Sequence, residues 1–244
     1  VLLKDIDLDM PYVEYKEKIN EIIKSKKFTI EEAVRFDYEE NWKKKRMKFR
    51  DEVQCITELY KYHLGKYKTK ETTKLIINCV EMGQCTNIEN VDGFTEVYVP
   101  FNYNHYTSLS NHEKKVLILE CIWKGICLVS QELNWDVKPF DYAYKKVVEV
   151  NYTNEYVWEQ KANRTKQLIA EIWCKHDIET YDIYMVVKQY GSNEEVKRVL
   201  LQTERPNGFA FTRHLGKLRW RSNNEVVLIS KSNAQEWSVA IDFI

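Results

Sequence analysis

The apolar residues change their period once along this chain, near Asn151, and that change limits the possible folds more than any other feature. Before it, long stretches keep helical spacing. After it, short apolar runs alternate with turn residues.

In the first part, Phe49, Val53, Ile56, Tyr60 and Leu64 stand three or four residues apart, which gathers them on one stripe of a helix. Thr29-Ile-Glu-Glu32 and Ser110-Asn-His-Glu113 have the capping-box form. A hydroxyl and the carboxylate three residues later each satisfy a free N–H at a helix start. The first box predicts a helix reaching about Leu64, ended by Gly65. An earlier helix is expected with Asp9 as its cap, running through Tyr12, Tyr15, Ile19, Ile22 and Ile23, with Pro11 in its first turn. Behind the second box, Val116–Val129 is apolar on nearly every face, so that helix should lie at a centre of packing. Pro139 then opens a shorter helix through Tyr144 and Val148. Between the boxes, Leu75–Val80 and Phe94–Phe101 are rich in strand formers, with turn residues around Gly83, Asn87 and Asp92-Gly93.

Beyond Asn151, Leu168–Trp173, Ile183–Tyr190, Val196–Thr203, Val226–Ser230 and Trp237–Phe243 read as strands. Gly191-Ser-Asn193, Pro206-Asn-Gly208, Ser222-Asn-Asn224 and Ser232-Asn233 separate them, which predicts an antiparallel meander. Ser192-Asn-Glu-Glu195 equally suits a helix cap before Val196, Val199 and Leu200. Helices placed before strands indicate an α+β class: a helical N-terminal part with a central buried helix, then a mainly antiparallel sheet. The expected division is residues 1–150, mainly helical with a short strand pair, and 151–244, the meander. One compact domain is the alternative.

A chain of 244 residues buries roughly 70–75% of the surface its unfolded form exposes, enough to fold without metals or disulfides. None of its six cysteines forms a C-x-x-C pair, and scattered thiols in a chain this long point to a reducing, cytoplasmic compartment. No run approaches about 18 apolar residues, so no membrane-spanning helix is expected. Thirty-seven Lys+Arg balance thirty-seven Asp+Glu, which leaves no overall field to recruit nucleic acid. There are only seven glycines, and neither G-x-G-x-x-G nor G-x-x-x-x-G-K-[S/T] occurs, so phosphate-cradling loops have no sequence basis.

The chemistry-bearing residues are sparse. His63, His105, His112, His176 and His214 include no pair at helical ligand spacing, and Val116 occupies the place of the second histidine in H-E-x-x-H. No metal or cofactor is expected. Lys43-Lys-Lys-Arg46 follows Glu39 and Glu40 by four residues, the order of a salt-bridged helix face. Residues 205–221 carry no acid at all. Arg205, Arg213, Arg219 and Arg221, with His214 and Trp220, combine guanidinium forks with an aromatic face and form the candidate contact site. Tyrosines in polar contexts (Tyr60, Tyr62, Tyr67, Tyr103, Tyr106, Tyr142, Tyr144) add a second hint of an interface. The resulting expectation is a non-enzymatic protein that binds another protein, such as an inhibitor or a bacterial toxin-neutralising immunity protein. The alternative is recognition of nucleic acid or a phosphorylated ligand through 205–221. A third reading is a hydrolase or nuclease assembled in space around His112, Glu113 and His214.

Overall fold

Alternation in Asp5-Ile-Asp-Leu-Asp9 makes a strand at the start of the chain, where the local pattern predicts Asp9 as a helix cap. In the computed structural model, which describes residues 1–81, 88–192 and 194–241, β1 (Leu2–Leu3) and β2 (Asp5–Asp9) precede α1 (Lys16–Lys26). Ile6 and Leu8 are buried, and the three aspartates take the other face. Asp5 is held by Lys61 at 2.5 Å and Lys74 at 3.0 Å, Asp7 by Lys74, and Asp9 by Arg46 through bonds of 2.9 and 2.5 Å. The Asp9 carboxylate therefore faces Arg46 and the Met10 N–H rather than a helix start. α1 begins at Lys16 with no side-chain cap.

The chain divides into two compact units, Val1–Tyr152 and Thr153–Ile244. In the first, the Thr29 capping box is present and opens α2 (Ile30–Asp37). A π-helical turn, Tyr38–Trp42, leads into α3 (Lys43–Glu52) and, after a break at Val53, α4 (Gln54–Leu64). Gly65 ends the run at φ +65°, a conformation that disfavours any Cβ. After β3 (Tyr67–Lys68), which pairs with β1, come β4 (Lys74–Val80), β5 (Glu89–Val91) and β6 (Phe94–Pro100). The sheet order is β2-β4-β6-β5, with β2, β4 and β6 parallel and β5 antiparallel.

α5 (Tyr103–Ser108), α6 (Asn111–Leu133) and α7 (Lys138–Glu149) complete the unit. The Ser110 box caps α6, and Pro139 stands in the first turn of α7. α6 packs on β4, β6, α4 and α7, burying Ile118, Leu119, Ile122, Ile126 and Val129. Each such side chain contributes roughly 1.5–3 kcal/mol. Gly125 lets α6 approach the sheet: a Cβ there would stand 2.8 Å from Ile77 Cδ1. A buried ion pair, Lys114 Nζ to Glu52 at 3.1 Å, ties α6 to α3.

In the second unit, β7 (Asn154–Ala162), β8 (Leu168–His176), β9 (Tyr181–Gln189) and β10 (Glu195–Glu204) form an antiparallel meander, in which β7 is not among the strands expected from the sequence and from which the expected strands near 226–230 and 237–243 are separate. The segment after Ser192 is strand rather than helix, because Val199 and Leu200 pair across to Met185 and Tyr184. A short α8 (Gly208–Phe211) and a 3₁₀ turn to His214 lead to β11 (Lys217–Trp220), β12 (Glu225–Ile229) and β13 (Glu236–Ala240). Ile172, Ile183 and Met185 of the larger sheet share one core with Leu218, Val226 and Leu228 of the smaller. The expected turn residues Gly83, Asn87 and Asn193, with Cys85 and the end of the last strand run at Asp242-Phe243, lie outside the described residues.

Candidate functional site

Segment 205–221 is basic in sequence but largely neutralised in space. Arg213 pairs with Glu204 at 2.8 Å, and the buried His214 meets the same carboxylate through Nε2 at 3.0 Å. Burial opposes ionisation of Glu204, yet the hydrogen bonds of His214 and Arg213 outweigh it and hold the group below the usual carboxylate range. Arg219 lies 3.9 Å from Glu236; Arg221 binds Glu225 at 3.3 Å and also Glu236. Glu225 and Glu236 belong to the paired strands β12 and β13. The Trp220 indole turns toward the core and donates to the Lys161 carbonyl at 2.8 Å. Along β11, Leu218 and Trp220 thus face inward while Lys217 and Arg219 face outward. Arg205 is likewise engaged.

The other sequence candidates have structural tasks. Glu113 accepts from the Ser110 backbone and hydroxyl at 2.8 and 2.6 Å, and His112 meets the edge of the Tyr152 ring. These two lie in the first unit and His214 in the second. Among the polar-context tyrosines, Tyr60 and Tyr106 are fully buried, the former donating to the Phe140 carbonyl at 2.9 Å. Tyr62 and Tyr142 are exposed. Lys43 pairs with Glu39 at 2.7 Å, as the helical spacing predicts.

The more open surface lies on β8, β9 and β10, facing away from the core of the second unit. Period-two alternation buries Leu168, Ala170, Ile172 and Cys174 on one side of β8, which leaves Trp173 and Lys175 on the other. Tyr184 stands directly opposite Trp173 across the β8–β9 pair, and Leu200 opposite Tyr184 across β9–β10. The Arg198 guanidinium lies 5.5 Å from the Trp173 ring and 5.8 Å from the Tyr184 ring; the Lys188 ammonium lies 5.8 Å from Trp173. Such cation–π contacts hold flat rings and long cationic stems in one layer. Each cation also has a carboxylate: Arg198 with Glu195 at 2.8 Å, Lys188 with Glu171 at 2.7 Å, and Lys175 with Glu155 at 3.9 Å. Val157 and Leu200 extend the apolar surface at its margins, Leu200 at 50% exposure. The sequence reading missed this face although its signal was present: once β8 and β9 are strands, every second residue from Trp173 and Tyr184 must point away from the core.

Among the described residues β10 is paired with β9 alone and carries two register irregularities, at Glu195/Lys197 and Leu200/Gln202. Bulges of this kind blunt an edge against strand addition, so the face rather than the edge is the accessible contact surface. Among the described residues, no group of three His, Cys, Asp or Glu side chains is placed to hold a metal ion. No helix among them is long and apolar enough to cross a membrane. Comparison with protein-family models, curated proteins and solved structures finds no match to this chain.

Proposed function

We propose that this chain works by binding another protein, and that the outer face of the β8–β9–β10 sheet is the surface that does so. The observation that carries this reading is the outward layer of half-buried Trp173 and Tyr184 with exposed Arg198 and Leu200, whose cations already have carboxylate partners. Trp, Tyr and Arg dominate the residues that supply binding energy at protein interfaces. A rigid, charge-balanced aromatic layer suits a partner that brings apolar side chains and a few hydrogen-bonding groups. It suits a polyphosphate backbone poorly, because binding phosphates depends on cations free to release counterions. The same reasoning weakens the alternative through Arg213, Arg219 and Arg221, each within 4 Å of a carboxylate. The more specific form of the proposal, an inhibitor or toxin-neutralising immunity protein in a bacterial cytoplasm, adds a choice of partner: a toxic nuclease or peptidase encoded beside it.

The test is site-specific photo-crosslinking in the native cell, with a benzophenone amino acid at Leu200 and, as a control, at Tyr62, which is 79% exposed in the other unit. A protein adduct at position 200, absent at 62 and lost on Trp173→Ala or Arg198→Glu, supports the reading. Identical adducts at both positions, or an adduct with RNA or DNA, refute it.

A further inference from the structure

A pocket of about 150 Å³ opens in the first unit, lined by residues at the carboxyl ends of its three parallel strands. Pro11 and Val13 follow β2, Glu81 follows β4, and Phe101 and Tyr103 follow β6. In open sheets with parallel strands, ligands commonly bind outside the carboxyl ends of the strands. The floor is apolar: Cys79, Val80 and Phe101 are buried. Trp42 forms a wall and comes from the π-helical turn, a distortion frequent at functional sites. Its indole N–H is occupied by the Met10 carbonyl at 3.1 Å, so it offers the pocket ring surface rather than a donor.

The rim carries one charge of each sign. Lys45 sits within a basic run in which Lys43, Arg46 and Lys48 each have a carboxylate, while Lys44 has none among the described residues and does not line the pocket. Lys45 has none among the described residues, and it lines the pocket. Glu81 lines it too; its carboxylate accepts from the Tyr15 hydroxyl at 3.0 Å but has no cation within salt-bridge distance among the described residues. Lys45 and Glu81 border one cavity without pairing with each other. Opposite charges held apart around an apolar floor are complementary to a molecule that carries both charges on an apolar body.

We infer that this pocket binds a zwitterionic α-amino acid with a single-ring side chain: its carboxylate at Lys45, its ammonium at Glu81, and its ring against Trp42 over the apolar floor. The volume sets the size, since a cavity of about 150 Å³ accommodates one benzene ring. This site lies in a different unit from the proposed protein-binding face, and it stands or falls separately.

The experiment is isothermal titration of the full chain with L-phenylalanine, 3-phenylpropionate and 2-phenylethylamine, each up to 10 mM, followed by the same titrations on Lys45→Met and Glu81→Gln. Both positions are exposed, so neither change should disturb folding, and matching thermal melts check that. Saturable binding of L-phenylalanine is expected, weakened at least tenfold when either charged group of the ligand is removed. Lys45→Met should weaken phenylalanine and phenylpropionate alike, and Glu81→Gln phenylalanine and phenylethylamine alike. The inference is overturned if L-phenylalanine does not bind, if a ligand with one charge binds as well as the zwitterion, or if both variants bind as the parent does.

Discussion

Gly125→Ala probes the closest approach of the central helix to its sheet. The added Cβ would lie 2.8 Å from both Cδ1 and Cγ1 of Ile77 and 3.0 Å from its Cγ2, whereas carbon atoms rest about 3.5–4.0 Å apart. Ile77 is fully buried and must give way by most of an ångström in a packed core. Overpacking of this kind costs about 1–3 kcal/mol. Replacing glycine inside a helix returns about 1 kcal/mol, so the net loss should be about 0–2 kcal/mol. A double-mutant cycle makes the argument sharper. Ile77→Ala alone should cost about 2–5 kcal/mol by emptying space. In that background the methyl group added at position 125 enters the vacated volume, the clash is gone, and Gly125→Ala should stabilise by up to about 1 kcal/mol. The compensating coupling is therefore about 1–3 kcal/mol. Urea unfolding followed by far-ultraviolet circular dichroism and tryptophan fluorescence measures it, with the two units fitted as separate transitions. Additivity of the two substitutions within about 0.5 kcal/mol would refute the claim that α6 rests on Ile77 through Gly125.

Three further outcomes test other parts of the structure. Lys114→Met leaves the Glu52 carboxylate, whose side chain is only 5% exposed, with the more distant Lys48 at 3.7 Å, and should cost less than the roughly 3–5 kcal/mol of a fully unpaired buried charge in the same urea assay, with part recovered in the Glu52→Gln, Lys114→Met double variant. Burial pushes Asp9 up, but the hydrogen bonds and charge of Arg46 outweigh it and hold Asp9 below its ordinary value. Its stabilisation is thus complete above the unfolded pKa of about 3.9 and is lost as pH falls through the lower folded value. Asp9→Asn should be less stable at pH 7 and should lose less on acidification from pH 5 to pH 2, whereas parallel stability curves would contradict this. Burial raises the Cys174 thiol to about 11 despite its hydrogen bond with Tyr181; in a Cys85→Ser background, a thiol-specific chromogenic disulfide at pH 8 should label exposed Cys127 first and Cys55, Cys79, Cys121 and Cys174 only on unfolding. Prompt labelling of Cys174 in the native protein would count against its burial.

Local chemistry was legible in the sequence. The Thr29 and Ser110 boxes, Gly65 and Pro139 act where their residue types predict, because each concerns backbone groups within a few positions of itself. β2 was not legible for the converse reason. Five residues give only two inward side chains, Ile6 and Leu8, while Asp9 followed by Pro11 imitates the start of a helix. What makes this segment a strand is parallel pairing with Lys74–Asn78, some seventy positions away, which no local window contains. The tyrosine reading failed similarly at Tyr60 and Tyr106. Polar neighbours in sequence are side neighbours on a helix, and both rings turn inward to the core.

Charge followed the same division, and it separates the two candidate sites. Over 205–221 the sequence displays cations without acids, yet Glu204 lies one residue before the segment and Glu225 and Glu236 arrive on adjoining strands. An antiparallel sheet places residues ten or more positions apart side by side, so local charge in a strand says little about net charge on its surface. In a helix the partners come three or four residues away, which is why Lys43 and Lys48 could be matched to Glu39 and Glu52 by counting. Among the described residues neither Lys44 nor Lys45 has a carboxylate partner, whereas Lys43, Arg46 and Lys48 do. What sets Lys45 apart is the cavity it lines with Glu81, which reaches the rim from the end of β4 and hydrogen-bonds Tyr15. Arg213, Arg219 and Arg221 thus each lie within 4 Å of a carboxylate, whereas Lys45 borders a pocket with Glu81 and neither has an ion-pair partner among the described residues. For a charge to signal a ligand, its partner must be absent from the fold, and that can be judged only after the sheet has brought distant residues together.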